Sequence, residues 1–340
     1  MFLVAALSVI APSSFAATTA PEVVHVGIAQ TMSDSAYYIG EEKGYFRDEG
    51  ITLDMTPFKS AAGMVAPLGT GELDVGGGTV SAGLYNAATR GLNVKIVADE
   101  GSMRPGYGYS SLLVRKDLVD GGRYKTFADL KGMKAAVAAP GSGSASALNE
   151  ALKKGGLTFS DADVVYMGFP EQFAAYRNKA IDASISTEPT TTLIREAGLA
   201  TRIAGDDVFD PGQQNAVVFF SANFIDKRHD VAERFMRAYI RGVRYYMAAL
   251  KDGRLAGPNA SEVISILTRY TKIKDPAMYG RIVPSSADPD GRVNLKTLKN
   301  DLAFFRQQGL VKDDKITVED VYDGSFVEAA LNVLGPYHAK

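Results

Sequence analysis

Short apolar runs alternate with helical stretches of about ten residues through much of this 340-residue chain. A strand that is followed by a helix and a second strand pairs with it in parallel, because the helix returns the chain across one face of the sheet. The alternation therefore predicts an α/β protein with largely parallel sheets. The predicted strands are residues 23–29, 51–58, 73–76, 94–98, 135–138, 164–167, 181–186 and 201–204.

Two further apolar, extended segments divide the chain. Residues 112–114 follow a loop rich in Gly, Pro and Tyr, and residues 215–221 precede a tail that is mostly helical. A chain of this length can form two domains or two lobes of one domain. We predict a discontinuous first lobe of residues 23–113 and 215–340 and a second lobe of residues 114–214, joined by two crossovers.

Asp74 and Asp182 stand in similar sequence surroundings. Apolar residues precede each of them at the same three offsets, and each aspartate lies at the start of a short predicted strand. The repeated pattern indicates two lobes of similar construction. Coincidence is the alternative, since an amphipathic helix before a strand is common in α/β proteins.

Composition excludes several classes of protein. A net charge of -2 with 22% charged and 46% hydrophobic residues is typical of a soluble globular protein, and no basic stripe indicates binding to nucleic acid. The arginines within residues 230–250 are predicted to form a solvated helix face. The chain has no cysteine and only three scattered histidines, and it lacks complete nucleotide-binding or hydrolase motifs. We therefore predict no catalytic residues, no metal and no cofactor.

Residues 1–16 have the pattern of a secretory signal peptide. An apolar run of about ten residues precedes a Pro/Ser break and small residues at Ser14 and Ala16, and the run is too short to span a bilayer. A buried amino-terminal strand is the alternative. We predict that the segment is cleaved and, because no cysteine can carry a lipid, that the protein is free in the periplasm.

A loop rich in Gly and Ser opens the helix within residues 133–152. Backbone N–H groups at a helix start converge with the positive end of the helix dipole, which makes a seat for a small anion or polar group. A helix terminus contributes about 0.3–1 kcal/mol, whereas micromolar binding needs about 8 kcal/mol, so the facing lobe must add contacts. A loop that only caps its helix is the alternative. The predicted contacts here are Gly141, Ser142, Gly143, Ser144 and Ala145.

Other candidate residues lie in loops at the ends of predicted strands. Ligands of parallel α/β sheets bind beyond the carboxyl ends of the strands, so these loops are expected to line one cleft. For each aromatic residue, packing in the core is the alternative to a site role, and for Glu188 it is stabilisation of its own helix start. The remaining predicted contacts are Gln30, Ser33, Asp34, Thr79, Ser81, Tyr107 and Glu188.

Four segments resemble one known family. Residues 38–46 (YIGEEKGYF) with Glu49, Gly50 and Ile51 are similar to a signature of ABC-transporter periplasmic solute-binding proteins of the SsuA/TauA/THI5-like, or NMT1-like, family. Residues 71–75 (GELDV), residues 127–137 (FADLKGMKAAV) and the pair Glu188-Pro189 resemble further segments of that family. The resemblance extends over about residues 24–221 and rests on the combination of segments.

The resemblance implies a type II periplasmic-binding-protein fold, with two α/β lobes that close on a ligand between them. It also implies a monomeric receptor that captures a small molecule by hinge closure and passes it to an inner-membrane ABC permease in a transient complex. By position, it places ligand contacts in the loop of residues 30–34, at Thr79 and Ser81, at residues 142–145 and in the region of Glu188. The first of these, residues 30–35, lacks the proline often found there in the family.

The sequence leaves the ligand and one competing activity open. An organic anion such as a sulfonate or carboxylate, with or without an aromatic body, is favoured, and a zwitterion or neutral heterocycle is the alternative. Arg104 is the one arginine expected near the site, whereas Asp34, Glu100 and Glu188 would repel an anion unless they face away. An enzyme of the same fold related to thiamine-pyrimidine synthesis and the effector domain of a transcription regulator are the other possibilities.

Overall fold

The computed structural model describes residues 20–338, which form two five-stranded sheets and the helices around them. The predicted signal peptide lies outside the described residues. The strands, in chain order, are β1 (Glu22–Ile28), β2 (Ile51–Pro57), β3 (Val75–Gly78), β4 (Val94–Ser102), β5 (Ser110–Arg115), β6 (Lys134–Val137), β7 (Asp163–Tyr166), β8 (Ala183–Thr187), β9 (Ala200–Gly205), β10 (Gln214–Ser221), β11 (Leu250–Lys251) and β12 (Arg254–Leu255).

Helices connect nearly all of these strands and make up most of the tail. They are α1 (Ser35–Glu42), α2 (Tyr45–Asp48), α3 (Val65–Thr70), α4 (Ala82–Ala88), α5 (Lys116–Asp120), α6 (Gly143–Lys154), α7 (Phe169–Arg177), α8 (Thr190–Glu196), α9 (Asp206–Phe209), α10 (Ala222–Lys227), α11 (His229–Ala248), α12 (Ala260–Tyr270), α13 (Leu295–Gln307) and α14 (Ser325–Leu334). Short 3-10 helices lie at Ala61–Met64, Phe127–Leu130, Phe159–Asp161, Pro276–Gly280 and Glu319–Val321.

The two sheets have the same topology. The first has the strand order β2-β1-β3-β10-β4 and the second has β7-β6-β8-β5-β9. In each sheet the first three strands are parallel, and the fourth is antiparallel to both of its neighbours. That fourth strand is β10 in the first sheet and β5 in the second, so each arrives from the other half of the molecule. The predicted α/β architecture with two crossovers is confirmed.

Both faces of the first sheet are covered. Along β10, Val218 and Phe220 belong to the apolar cluster formed with α1, α11 and α14, whereas Val217 and Phe219 belong to the cluster on the opposite face. Alternate side chains of a strand point to opposite faces, so an unbroken apolar run is what a doubly covered strand requires. This run was the basis for predicting the second crossover.

The division into lobes follows the sheets, although the boundaries proposed from the sequence stay a prediction. Helix α13, which falls within the predicted first lobe, packs against α6 of the second sheet. Ser146 on α6 donates a hydrogen bond to the buried Asp301 on α13, and Gln213, just before β10, donates to the other oxygen of Asp301 at 2.8 Å. The tail therefore joins the two halves.

Asp74 and Asp182 occupy equivalent positions before β3 and β8. Asp74 accepts a hydrogen bond from the His25 N–H at 3.0 Å and from Arg228 at 2.9 Å. Asp182 accepts from the N–H of Lys134 at 3.1 Å and from Arg115 at 2.9 Å. Each carboxylate thus joins a neighbouring parallel strand to an arginine, and the repeat suggested by the sequence is present in the structure.

The arginines of α11 form ion pairs within the first half of the molecule. Arg237 pairs with Glu49 at 2.7 Å, Arg241 with Asp48 at 3.0 Å, and Arg244 with Asp290 at 2.8 Å. Their positive charge is therefore compensated. Between residues 20 and 338, none of the helices could cross a membrane, and no cluster of three His, Cys, Asp or Glu side chains could hold a metal ion.

Candidate ligand-binding cleft

Four loops at the carboxyl ends of strands form the facing edges of the two sheets. They connect β1 to α1, β3 to α4, β6 to α6 and β8 to α8. Since β1 corresponds to β6 and β3 to β8 in the shared topology, the loops form two equivalent pairs. The predicted contact residues lie in these loops or directly beside them, with Tyr107 in the connection from β4 to β5.

The loop before α6 is held by its own serines. Ser142 caps the helix, because its Oγ accepts the Ala145 N–H at 3.4 Å and donates to the Ala139 carbonyl at 2.7 Å. Ser144 Oγ accepts the Ala138 N–H at 2.9 Å. Both side chains are half-buried. The capping role that the sequence left as an alternative is therefore present, and a ligand contact by these serines stays a prediction.

The same loop touches the loop before α4 directly. The Ala82 N–H donates to the Gly141 carbonyl at 3.1 Å. A Cβ on Gly141 would lie 2.8 Å from Cβ of Ala82, and a Cβ on Gly143 would lie 2.8 Å from Cγ2 of Thr79. Because these glycines have no side chain, the loop before α6 and the loop before α4 meet without a gap. We call these two loops the closed pair.

Asp34 organises the loop between β1 and α1. Its buried carboxylate accepts the N–H groups of Ala29 at 3.3 Å and Thr31 at 2.7 Å, and the Tyr38 hydroxyl at 3.3 Å. Burial raises its pKa, and these donors oppose that shift. Ser33 binds the Thr31 hydroxyl at 2.8 Å. The carboxylate is therefore used by donors of its own loop and of α1.

Glu188 joins the second sheet to the tail. One carboxylate oxygen accepts the Thr192 N–H at 3.0 Å, and the other accepts the Val283 N–H at 3.3 Å. Its carbonyl accepts the Tyr109 hydroxyl at 3.0 Å, and its peptide bond to Pro189 is cis. Burial raises the pKa of this carboxyl as well. Both oxygens are thus engaged by backbone donors.

Glu100 is the least satisfied polar side chain at this edge. It lies near the end of β4 and is 3% exposed, and neither carboxyl oxygen has a hydrogen-bond partner within residues 20–338. Burial raises its pKa well above the usual range, and the negative charge of Asp34 raises it further. A Cβ on Gly77 would lie 2.1 Å from Glu100 Oε1, so β3 needs glycine there. These surroundings therefore disfavour the charged form of Glu100.

An open cavity of about 290 Å³ lies beside the other two loops, which connect β1 to α1 and β8 to α8. Gln30 borders it from the first sheet and Glu188 from the second, so the structure brings these two predicted residues together. The other predicted residues do not line it: Ser33, Asp34, Thr79, Ser81, Tyr107, Gly141, Ser142, Gly143, Ser144 and Ala145. The remaining wall is formed by Thr31, Met32, Tyr109, Pro189, Thr271, Lys272, Ile273, Lys274, Asp275 and Met278.

Sequence reasoning missed the segment of residues 271–278. It follows α12 in a tail that carries little family resemblance, and it reaches the cavity through contacts with a loop more than 240 residues away. Two lysines in a polar turn, Lys272 and Lys274, were the available signal. Arg104, the one arginine expected near the site, does not line the cavity. Tyr37 and Tyr85, which follow two of the predicted contact loops, are fully buried, so core packing is their role in the structure.

Comparisons with known proteins agree with this architecture. The model of the family described as NMT1/THI5 like matches residues 33–250. A protein of Bacillus subtilis named as an aliphatic sulfonates-binding protein is 25% identical over 324 residues, which cover 91% of this chain and 88% of that protein. A protein of Brachyspira hyodysenteriae named as an ABC transporter periplasmic binding protein is 26% identical over 303 residues, covering 83% and 82%.

Two solved structures illustrate the fold. The periplasmic aliphatic sulphonate binding protein SsuA of Escherichia coli has a TM-score of 0.68 and 18% identity, covering 94% of this chain and 95% of that one. The desulfurization enzyme DSZB has a TM-score of 0.63 and 15% identity, covering 92% and 99%. The expected type II periplasmic-binding-protein fold is confirmed, and proteins that share it include both a binding protein and an enzyme.

Proposed function

The chain belongs to the NMT1/THI5-like family, and from that premise we propose that it is the periplasmic solute receptor of an ABC importer. The observation that carries the proposal is the meeting of two equivalent sheet edges around one cavity of about 290 Å³. Ligand sites of α/β proteins lie beyond the carboxyl ends of the strands, and here two such edges face each other. The names of the two relatives support the same function.

The ligand we favour is a small organic anion with an apolar body. The cavity is at the lower end of the range of about 300–1,000 Å³ for small-molecule pockets. It is about twice the size of a ~150 Å³ cavity that admits benzene, so a ring or short chain with one polar group fits. Met32, Ile273 and Met278 supply apolar wall, and Lys272 supplies positive charge.

Three acidic residues, Asp34, Glu188 and Glu100, were expected to repel an anion unless they face away, and their surroundings bear on the charge of the ligand. Asp34 and Glu188 use their carboxylate oxygens on backbone N–H groups. Glu100 is buried and its pKa is raised, which disfavours its negatively charged form. This favours an anion over a cation and supports a sulfonate or carboxylate. A zwitterion or neutral heterocycle remains the alternative to be tested.

Capture would proceed by closure of the two sheets about the crossovers β5 and β10. In the closed arrangement the Gly141 carbonyl accepts the Ala82 N–H, and Glu188 accepts the Val283 N–H. A ligand in the cavity touches both halves and therefore favours the closed form over an open one. The permease would then meet a shape that exists mainly with ligand bound. We propose that the receptor is monomeric, exported by a cleaved signal and free of a lipid anchor.

An enzymatic role is the second candidate, because the desulfurization enzyme DSZB has the same fold. A second solved structure of that enzyme is a cysteine-to-serine mutant in complex with biphenyl-2-sulfinic acid. The present chain has no cysteine at any position. Incubation of the protein with each ligand that binds, followed by mass analysis of the ligand, separates turnover from binding. Recovery of chemically altered ligand would favour the enzyme.

A thermal-shift screen tests the receptor directly. The panel contains alkanesulfonates of increasing length, benzenesulfonate, benzoate, nitrate, a zwitterionic sulfonate and a neutral pyrimidine. A ligand that binds only the folded protein stabilises it and therefore raises its melting temperature. At a ligand concentration about one hundred times Kd, the stabilisation is about 2.7 kcal/mol. We expect the largest shift for the anions with a ring or short chain. Absence of any shift, together with no retained ligand in a native mass spectrum, would contradict the proposal.

A further inference from the structure

The cavity has one wall that belongs to none of the four strand-end loops. Residues 271–278 comprise the connection after α12 and the first three residues of the 3-10 helix at Pro276–Gly280, and most of this segment borders the cavity. A ligand-binding role for this segment rests on the proposed receptor function. In that role, residues 271–278 would recognise the charged group of the ligand, and the start of α6 would not.

The segment is fixed to the first loop by its backbone and by one side chain. The Lys272 N–H donates to the Gln30 carbonyl at 3.4 Å, and its Nζ donates to the Ala29 carbonyl at 3.3 Å. Thr271 Oγ1 hydrogen-bonds the hydroxyl of Tyr279, the residue directly after the segment, at 2.6 Å. Lys272 is therefore held at the junction between the tail and the β1–α1 loop, with its side chain on the wall of the cavity.

The two lysines of the segment differ in how their ammonium groups are used. Lys274 Nζ donates to the carbonyls of Thr268 and Arg269 at 3.3 Å and 2.8 Å, and it thereby caps the end of α12. Lys272 Nζ has one backbone partner. Neither lysine forms an ion pair with any residue in the part of the chain from 20 to 338. An ammonium has three donors, so Lys272 keeps two for a ligand.

The acidic residues on the same cavity do not neutralise Lys272. Asp275 accepts the Ala277 N–H at 2.9 Å and lies 3.9 Å from Arg281. Glu188 uses both oxygens on backbone N–H groups. Of the two lysines that border this cavity, Lys272 therefore has the ammonium with more free donors. Apolar side chains flank it, among them Met32 and Ile273.

We propose that Lys272 is the specificity-determining cation of the cavity, and that it binds the sulfonate or carboxylate group of a ligand whose apolar body lies against Met32, Ile273 and Met278. The site takes monoanions with a ring or short alkyl chain. A ligand of the same shape without the charge loses the ammonium contact and keeps the apolar one. Discrimination between the two then depends on residue 272.

Calorimetric titration of three variants with a matched pair of probes tests this assignment. The probes are benzenesulfonate and its neutral analogue benzenesulfonamide, and the variants are Lys272→Met, Lys274→Met and Lys272→Arg. Hydrogen bonds to charged groups and partial solvent exposure together give an expected loss of about tenfold in affinity for benzenesulfonate in Lys272→Met. Benzenesulfonamide binding should change less than about threefold, and Lys272→Arg should retain most of the affinity.

Lys274→Met is the matched control, because it removes the same charge from the same segment. It should change benzenesulfonate affinity little, and raising the salt concentration should weaken binding in Lys274→Met but not in Lys272→Met. Equal losses in the two methionine variants, or no loss in Lys272→Met, would overturn the role of Lys272 while leaving the receptor function standing. Failure of the unaltered protein to bind any anion of the screening panel would contradict the receptor function itself.

Discussion

The two sheets repeat the same framework but close their cleft edges with different chemistry. Before β3 and β8, Asp74 and Asp182 each bind a backbone N–H of the neighbouring parallel strand and an arginine, with almost the same distances. At the cleft, the loop after β1 is tied by the carboxylate of Asp34, whereas the equivalent loop after β6 is tied by the hydroxyls of Ser142 and Ser144. Framework contacts are thus retained where they hold strands together, and they differ where a ligand is received.

The difference has an electrostatic meaning. The first sheet places two buried carboxyls at its edge, Asp34 and Glu100, and the pKa of each is raised by burial. The second sheet offers hydroxyls and backbone N–H groups at α6. At the first edge the charged form of Glu100 is disfavoured and Asp34 is used within its own loop, and at the second edge Ser142 and Ser144 are used within theirs. The positive charge comes from outside both sheets, at Lys272.

The largest effect is expected where the framework is most buried. Asp74→Ala removes a carboxylate that is 10% exposed, whereas the carboxylate of Asp182 is 27% exposed. Loss of one partner of a buried ion pair costs about 3–5 kcal/mol, so we expect about 3 kcal/mol for Asp74→Ala and roughly half of that for Asp182→Ala. Urea unfolding followed by circular dichroism measures both, since the chain has no tryptophan. A larger loss of unfolding free energy in Asp182→Ala than in Asp74→Ala would contradict this ranking.

Alanine substitution of two glycines with similar backbone conformations tests whether ligand binding depends on the contact within the closed pair of loops. Gly141 has φ of +63° and Gly156 has φ of +70°, so alanine costs each about 1–2 kcal/mol of stability. A Cβ on Gly141 also meets Cβ of Ala82 at 2.8 Å, whereas nothing lies within 4 Å of a Cβ on Gly156. We expect Gly141→Ala to weaken ligand binding at least tenfold and Gly156→Ala to leave it unchanged. Titration calorimetry decides, and equal affinities would show that these loops need not touch.

The pH dependence of stability tests the raised pKa of Glu100. The pKa of Glu100 is raised above 4.5 in the folded protein, so folding holds a proton there that the unfolded chain releases. Its contribution to stability is therefore full below about pH 4.5 and declines as the pH rises. Glu100→Gln should remove this decline and raise the free energy of unfolding near pH 8 by about 1 kcal/mol. Parallel pH profiles for the two proteins would show that the carboxyl is charged.

The smallest effect is expected for the helix caps. Ser142 caps α6 in the second half, and Ser221 caps α10 in the first by accepting the Phe224 N–H at 3.1 Å. Loss of a serine cap costs about 0.5–2 kcal/mol, so Ser142→Ala and Ser221→Ala should each lower the unfolding free energy by about 1 kcal/mol. Because Ser142 does not line the cavity, its removal should change affinity less than about threefold. A larger loss would place the ligand at α6, as the sequence predicts.

Local patterns predicted the framework because its elements follow from neighbouring residues. The apolar run at β10 and the glycine-rich loop before α6 predicted a crossover and a helix start, and both are present. The surroundings of Asp74 and Asp182 predicted a repeat that the hydrogen bonds reproduce. Strand bounds shifted where glycine hides the pattern, since β3 begins at Val75 and continues through three glycines.

The cavity itself depends on contacts that no local pattern records. Sequence placed all four loops at one cleft, but it could not tell which pair would touch and which would leave space. That depends on the absence of side chains at Gly141 and Gly143, and on the tail reaching back from residue 272 to Ala29. The charge of Asp34 and Glu188 was likewise undecided, because their partners are backbone N–H groups fixed only by the folded loops.

The inserted strand β10 also sets the order in which the molecule can be assembled during synthesis. It lies between β3 and β4, so the first sheet stays in two pieces until residues 214–221 have left the ribosome. The strands of the second sheet, by contrast, come from one continuous stretch between Ser110 and Gly205. The half of the receptor that is encoded second is therefore the first whose sheet can be completed, and the amino-terminal half waits for the chain to return.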